Sequence, residues 1–302
     1  MIKTKCRLNT PSACCGVFDF PQVYCAGNTY VRENAMITSY SNKSVREVIQ
    51  LNQKAKMRDK QDLFVAEGLK MFAEVPADRI HRVYVAQRAW KDLRSTHGEK
   101  LDKLSVEVVA DDVFDRMSDT KTPQGILCLI RQFHYRIEEM FSAQNNKKHA
   151  LFIVLEDLQD PGNLGTVFRT GEGAGVDGII MSSHTVDIYN PKTIRSTMGS
   201  VYRVPFLYTD DLCGTVRVLQ KHGIRVYAAH LDGDGFYDRH DYCRGTAFLV
   251  GNEGNGLRQR TANCADELIR IPMEGKVESL NAAVASSILL YEAYRQRRAS
   301  ET

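Results

Sequence analysis

The sequence predicts an α/β protein with a parallel-sheet domain at its C-terminal end and a smaller α/β domain before it. From Ala150 onward, short apolar runs of strand length alternate with helical segments, as in strand–helix–strand units. In the last third, two loops rich in glycine, asparagine and proline interrupt this alternation. A shorter alternation spans Leu63–Ile130, which together with the helical segment before it has the length of a small domain.

The composition is that of a folded, soluble protein. Of the 302 residues, 43% are hydrophobic and 25% are charged, which separates the chain from disordered proteins. No apolar run reaches the length needed to cross a bilayer. The first residues, MIKTKCRLNT, lack the apolar core of a secretory leader, so we expect a cytoplasmic protein.

Neither a metal site nor a structural disulfide is expected. The acidic loop Asp232–Asp241 has Asp-x-Asp spacing but lacks the glutamate that completes a calcium loop, so we interpret it as solvated. No CxxC pair occurs, so zinc-ligand spacing is absent. The eight cysteines are Cys6, Cys14, Cys15, Cys25, Cys128, Cys213, Cys243 and Cys264.

The chain divides into four predicted regions. Residues 1–35 show no sustained periodicity, and we expect a disordered extension before a natural chain start at Met36. Residues 36–135 form the small domain, 136–149 a polar linker, and 150–302 the larger domain.

The small domain begins with a basic helical segment. Apolar residues of Ser41–Lys60 recur near helical spacing, with Ser41 or Asn42 as the N-cap. The predicted strands are Leu63–Gly68, Val83–Val85, Val106–Val109 and Ile126–Ile130. The predicted helices are Leu69–Val75 and Asp111–Ser118.

Charge is distributed unevenly along the chain. Residues 36–150 contain 20 Lys+Arg against 16 Asp+Glu, a net charge of +4, whereas residues 151–302 contain 16 against 19, or −3. This excess suggests that the small domain meets nucleic-acid phosphates. A solvated helix face is the alternative for the segment Ser41–Lys60. The candidate phosphate contacts are Lys43, Arg46, Lys54, Lys56 and Arg58.

The larger domain is predicted to contain a parallel sheet covered by helices on both faces. Its strands are Ala150–Leu155, Gly178–Met181, Val204–Leu207, Arg225–Ala229 and Ala247–Val250. Its helices are Leu164–Glu172, a capped helix after Asn190, Leu212–His222 and Asn281–Arg295.

Gly173–Gly178 matches the G-x-G-x-x-G pattern of dinucleotide-binding proteins, but its context argues against that function. The pattern requires a strand before the glycines and a helix after them. Here a helix precedes the glycines and a strand follows them, so we interpret the segment as a helix-ending turn.

Three segments of the larger domain carry the functional signal. Asn163–Thr170 follows the first strand, Gly251–Gly256 follows the last predicted strand, and Ile271–Asn281 leads into the final helix. Singly, each could be an ordinary turn or a capped helix start. Together and in this order they resemble motifs 1, 2 and 3 of the SpoU (TrmH-like) family of RNA ribose 2′-O-methyltransferases, in the SPOUT superfamily.

The resemblance implies more than residue patterns can show. It implies a trefoil knot at the C-terminal end, an obligate homodimer and S-adenosylmethionine as methyl donor. Residues 36–135 resemble the substrate-binding domain, similar to a ribosomal-protein fold, of large-subunit rRNA enzymes. Structured rRNA is therefore the expected substrate, with transfer RNA as the alternative and a non-catalytic RNA-binding relative or an NAD-dependent enzyme as rivals.

The resemblance also assigns site residues by motif position. Arg169 matches the catalytic arginine, and because a guanidinium is not deprotonated in proteins, we expect it to orient the 3′ phosphate and stabilise the reacting oxygen. The other polar positions are Asn163, Glu253, Ser279 and Asn281. Binding ribose or ordering the knot loops remains open for the asparagines and the serine, and anchoring either Arg169 or a loop amide remains open for Glu253. The expected cofactor-binding residues are Leu249, Gly251, Ile271, Met273 and Leu280.

Overall fold

The computed structural model describes residues 36–142, 149–233 and 235–300. The extension predicted for residues 1–35 lies outside these described residues. No helix in the described ranges is long and apolar enough to span a membrane.

The first sheet has four strands and belongs to the small domain. Its order is β1-β4-β2-β3; the β2–β3 pair is parallel and the other two pairs are antiparallel. The strands are β1 (Leu63–Glu67), β2 (Ile80–Ala86), β3 (Val106–Val109) and β4 (Ile126–Arg131). The helices are α1 (Lys43–Gln53), α2 (Ala55–Gln61), α3 (Leu69–Glu74), α4 (Gln87–Leu101) and α5 (Asp111–Met117).

The basic segment forms two helices. The side chain of Asn42 accepts a hydrogen bond from the backbone N–H of Ser44, which confirms Asn42 as the N-cap of α1. Lys54 has extended backbone angles (φ −128°, ψ 112°) and separates α1 from α2. Val45, Val48 and Leu51 are fully buried, so α1 packs with its apolar face on the small sheet.

The second sheet has seven strands, all paired in parallel, and confirms the predicted parallel α/β architecture. Its order is β7-β6-β5-β10-β8-β11-β9, so that β10 lies between β5 and β8. The strands are β5 (Leu151–Leu155), β6 (Gly178–Ser182), β7 (Phe206–Thr209), β8 (Arg225–Ala229), β9 (Gly235–Phe236), β10 (Thr246–Val250) and β11 (Glu267–Arg270). The helices of this part are α6 (Ile137–Ser142), α7 (Pro161–Ala174), α8 (Pro191–Thr197), α9 (Leu212–Lys221), α10 (Gln259–Ala262) and α11 (Ala282–Ala299).

The glycine pattern at the C-terminal end of α7 is a helix-ending turn, as predicted. Gly175 has φ +74°, the left-handed conformation that glycine adopts without a steric penalty. The backbone N–H of Val176 donates to the carbonyl of Gly171, which closes the turn before β6.

The two sheets share one hydrophobic core. The ring of Phe64 from β1 lies 4.6 Å from the ring of Tyr189, between centroids. The Tyr189 hydroxyl accepts from the Phe133 N–H at 2.6 Å and donates to the Phe133 carbonyl at 3.0 Å. Phe64, Phe133 and Tyr189 belong to the same buried cluster as Ile153 and Phe168. The small domain is therefore packed directly on the larger one.

Several observed elements differ from the sequence analysis. The segment expected to be a polar linker contains α6, because Met140 is fully buried and packs with Phe152 in a second buried cluster, on the large sheet. No prediction covered α4 or β11, since α4 is kinked at His97 and β11 is only four residues long.

The expectation of no structural disulfide is wrong. Cys213 at the start of α9 is bonded to Cys264, which follows α10. The two cysteines are 51 residues apart in sequence, and the fold brings them together because β8, β10 and β11 are adjacent in the large sheet. Cys128 and Cys243 are free thiols.

Candidate active site

The three motif segments meet at one edge of the large sheet. They follow β5, β10 and β11, and the carboxyl ends of parallel strands lie at the same edge. In an open α/β sheet this is the edge at which ligands bind.

A chain of hydrogen bonds joins the three motifs. The Asn163 side-chain amide donates to Glu253 Oε1 at 2.9 Å. The Asn281 side-chain amide donates to the Asn163 carbonyl oxygen at 3.0 Å. Asn163 thus uses the donor and the acceptor end of one amide group, and it fixes motif 2 and motif 3 relative to motif 1.

The Glu253 carboxylate also holds the loop that follows β5. It accepts hydrogen bonds from the backbone N–H groups of Gln159 and Asp160, both at 3.2 Å. Burial raises the pKa of Glu253, but the hydrogen bonds from Asn163 and from backbone N–H groups outweigh burial and leave that pKa below its ordinary value. Glu253 therefore anchors loop amides, one of the two roles considered for it. Within the described residues it makes no ion pair or hydrogen bond with Arg169.

Two caps orient the helices that carry motifs 1 and 3. Asp160 Oδ1 accepts from the Asn163 N–H at 2.8 Å, and Pro161 occupies the first turn, so α7 begins before its predicted start at Leu164. Asn281 Oδ1 accepts from the N–H groups of Ala283 and Val284, which makes Asn281 the N-cap of α11.

Arg169 lies apart from this hydrogen-bond chain. It is exposed on α7, six residues and about 9 Å along the helix axis from Asn163. In the described part of the chain its guanidinium has no hydrogen-bond or ion-pair partner, so all five N–H donors are available to a ligand. The next residue, Thr170, forms a hydrogen bond of 3.2 Å with Ser287 of α11, between the two side-chain hydroxyl groups.

The five expected cofactor positions are apolar or glycine, and all are partly or fully buried. Leu249 is fully buried on β10 and Gly251 is buried directly after that strand. A Cβ atom on Gly251 would lie 2.2 Å from the carbonyl carbon of Gly256, so no side chain fits there. Ile271, Met273 and Leu280 are half-buried in the segment before α11, whereas Ser279 is exposed and has no hydrogen bond among the described residues.

The segment Ile271–Leu280 fits an adenosine-type ligand. Across the described ranges its peptide N–H and C=O groups make no hydrogen bond with the rest of the chain. Unpaired peptide groups beside half-buried apolar side chains can hydrogen-bond and cover a purine ring. The residues present therefore fit the S-adenosylmethionine implied by the motifs.

Glu156, which is 2% exposed directly after β5, is absent from the predicted site residues. Its carboxylate accepts from the Arg258 N–H and Nε, each at 2.8 Å, and from the Thr261 hydroxyl at 2.5 Å. It thereby ties the end of the motif 2 loop to the start of the motif 1 loop. The only signal in the sequence was an acidic residue directly after a buried strand.

One candidate RNA contact is wrong. The Arg58 side chain is 4% exposed and its guanidinium lies 2.5 Å from Asp187 of the larger domain, so it cannot meet a phosphate in solvent. The remaining candidates are exposed and make no ion pair within the described residues: Lys43, Arg46, Lys54 and Lys56.

No group of three or more His, Cys, Asp or Glu side chains in the described ranges is arranged to hold a metal ion.

The sequence profile of the SpoU rRNA Methylase family matches residues 150–291, and that of the MRM3-like substrate binding domain matches residues 42–128. A 23S rRNA (guanosine(2553)-2′-O)-methyltransferase, RlmP, of Bacillus subtilis is 30% identical over 255 residues, or 84% of this chain and 97% of that protein. The chain belongs to the SpoU rRNA methylase family. The resemblance inferred from the three motifs is thereby confirmed.

Further relatives agree with this membership. An uncharacterized tRNA/rRNA methyltransferase of Synechocystis is 31% identical over 273 residues, covering 89% of this chain and 96% of that protein. The crystal structure of an AdoMet-bound rRNA methyltransferase from Sinorhizobium meliloti superposes with a TM-score of 0.74 at 31% identity, covering 86% and 97% of the two chains. The similarity to this structure therefore extends over the small domain as well as the large one.

Proposed function

We propose that the protein transfers a methyl group from S-adenosylmethionine to a ribose 2′-hydroxyl of ribosomal RNA of the large subunit. The observation that carries this proposal is the hydrogen-bond chain Glu253–Asn163–Asn281, which holds three family motifs around one sheet edge. Support also comes from the similarity, over 84% of this chain, to a relative named for 2′-O-methylation of 23S rRNA.

The roles of the residues follow from their positions. S-adenosylmethionine supplies an electrophilic methyl group when it is bound. Gly251 and Ile271–Leu280 hold it through backbone groups, with Ile271, Met273 and Leu280 as apolar contacts. Arg169, permanently charged and exposed, binds the phosphate 3′ to the target ribose and stabilises negative charge on the attacking oxygen.

The polar residues of the motifs act mainly on geometry. Asn163, Glu253 and Asn281 keep the three loops in register, because each is bonded to another motif in the chain of hydrogen bonds. Ser279 is exposed within the segment Ile271–Leu280 and can hydrogen-bond to the ribose.

The knot and the homodimer are part of the same proposal. A trefoil knot would thread α11 and the segment before it through the loop that follows β10. The dimer would use the exposed face of α11, where Val284, Tyr291 and Tyr294 are 39–49% exposed and lie close to one helical face. A cytoplasmic location also belongs here, since ribosomal RNA is the proposed substrate.

A methylation assay on defined RNAs tests the function. The purified protein with isotopically labelled S-adenosylmethionine should label large-subunit rRNA, and mapping 2′-O-methyl positions in cells lacking the gene should reveal one missing site. Labelling of transfer RNA alone would replace the proposed substrate by the alternative. Absence of cofactor binding in calorimetry, with RNA binding retained, would establish the non-catalytic alternative.

A further inference from the structure

The Arg58 side chain connects the basic helices to the larger domain. Its Nε and Nη2 donate to Asp187 Oδ2 at 2.9 and 2.5 Å. Its Nη1 donates to the carbonyl oxygen of Leu51, at the end of α1, at 2.6 Å. One buried guanidinium therefore fixes the junction of α1 and α2 on the loop that follows β6.

Asp187 is itself held in place by the larger domain. Its Oδ1 accepts from the Tyr189 N–H at 2.8 Å. The hydroxyl of Tyr208 accepts from the Ile188 N–H and donates to the Val186 carbonyl, both at 2.8 Å. The carboxylate that receives Arg58 thus belongs to an ordered segment.

The loop that follows β6 is hydrogen-bonded directly to the motif 1 loop of the candidate active site. The Val186 N–H donates to the Leu158 carbonyl at 2.8 Å, and the Gln159 side-chain amide donates to the His184 carbonyl at 2.8 Å. The backbone N–H of Gln159 is in turn bound by Glu253. From Arg58, a short series of contacts leads through two neighbouring loops to Glu253, which is hydrogen-bonded to Asn163 of motif 1.

Helix α2 and its flanking residue carry exposed cations next to this junction. Lys54, Lys56 and Lys60 are exposed and have no ion-pair partner in the described part of the chain. Because Arg58 binds Asp187, α2 is held at the loop that follows β6, at the carboxyl edge of the large sheet.

We propose that Arg58 and Asp187 are positioning residues for methyl transfer: their ion pair holds the phosphate-binding helix α2 at a fixed place beside the reacting ribose. This inference rests on the proposed function. It assigns the lysines to binding RNA and the buried pair to aligning the bound RNA, since small displacements of a reacting group are costly in rate.

The test uses the full chain with Asp187→Asn, which removes the charge that Arg58 binds. The expected result is a single-turnover methylation rate at saturating RNA lowered by about 10- to 100-fold. RNA affinity and its salt dependence should stay close to wild type because the three lysines remain. S-adenosylmethionine affinity, measured by calorimetry, should also be unchanged.

The matched control is Glu107→Gln. Glu107 pairs with Arg82 at 2.8 Å inside the small domain, and its side chain is 15% exposed against 26% for Asp187. Removing its charge disturbs a partly buried ion pair without touching the junction. This control should keep the wild-type methylation rate, whatever its effect on the unfolding temperature.

A second variant covers the case in which Asp187→Asn does not fold. Arg58→Lys retains the charge but loses the fork that reaches both Asp187 and Leu51, so its rate should fall in the same assay with cofactor affinity unchanged. A wild-type rate in every variant that folds would overturn the positioning role. Equal rate losses in Asp187→Asn and Glu107→Gln would also overturn it, because the loss would then reflect stability alone. An inactive wild-type protein would instead refute the proposed function.

Discussion

At the scale of single residues, Arg169 and Asn163 represent two kinds of site residue on one helix. The Asn163 side chain donates a hydrogen bond to Glu253 and accepts one from Asn281, so both ends of its amide group serve loop geometry. Arg169 is exposed with no partner in the described ranges and can act only when a ligand arrives. Substitutions at the two positions should therefore impair the protein in different ways.

Arg169→Ala and Arg169→Lys should both reduce methyl transfer severely. Removing one interaction made in the transition state typically costs about 10²–10³ in rate, and lysine keeps the charge without the fork that grips a phosphate. S-adenosylmethionine should bind within a few-fold of wild type, because Arg169 is not part of the cofactor loops. Single-turnover assays and calorimetry measure the two effects, and near-normal turnover of Arg169→Ala would refute the assignment.

Glu253→Gln should destabilise the protein in a pH-dependent way. The folded-state pKa of Glu253 lies below the ordinary 4.5, so the carboxylate stabilises the fold at neutral pH and loses this contribution as pH falls through the folded value. The difference in unfolding free energy between wild type and variant should therefore be largest at neutral pH and shrink in acid. Urea unfolding at several pH values measures it, and a difference independent of pH would contradict this account.

At the scale of elements, the basic segment of α1 and α2 contains cations of two kinds: Arg58 is buried in an ion pair, whereas the lysines are exposed. Lys54→Gln, Lys56→Gln and Lys60→Gln together should weaken RNA binding and reduce its log–log salt slope by about 0.7–0.9 for each phosphate that the variant no longer neutralises. The exposed Lys60 is included, and the candidate contact Arg58 is left unchanged because it is buried. The matched control changes exposed lysines elsewhere, Lys91, Lys103 and Lys221, to glutamine. An equal slope for both triple variants would show that α2 is merely solvated.

The disulfide between α9 and the turn after α10 should contribute to stability. In the chain-entropy account, a disulfide between residues 51 apart in sequence lowers the entropy of the unfolded chain and so raises its free energy by about 4 kcal/mol. The double variant Cys213→Ser, Cys264→Ser should lower the free energy of unfolding by up to this amount under oxidising conditions. The free thiol Cys243 provides the control, since Cys243→Ser removes no crosslink. Identical unfolding of wild type with and without reductant would show that the bond does not stabilise the fold.

At the scale of the whole molecule, the proposed dimer depends on α11. Tyr291→Glu places a charge in the exposed aromatic face and should shift the protein from dimer to monomer, as measured by light scattering after size-exclusion chromatography. Leu69→Glu changes a residue of similar exposure on α3 and should leave the mass unchanged. A wild-type monomer, or a stable Tyr291→Glu dimer, would place the interface elsewhere or remove it.

The sequence predicts the order of elements better than their contacts. The strands were predicted because their apolar runs are continuous, and the motif loops because glycine, proline and asparagine stand at their boundaries. The role of Arg58 could not be predicted, since its partner Asp187 is 129 residues away and a basic helical segment gives no sign of which cation is buried. The same limit applies to Glu156 and to the Cys213–Cys264 pair, whose partners become neighbours only through the strand order.

The common core beneath the two sheets also limits how such a chain can be recombined. Exchanging residues 36–135 for another RNA-binding module would uncover Tyr189, leave Asp187 without its cation and remove the ring that packs at 4.6 Å from Tyr189. A functional hybrid would have to bring equivalents of Phe64 and Arg58 with it. Retargeting by gene fusion is therefore constrained at this boundary.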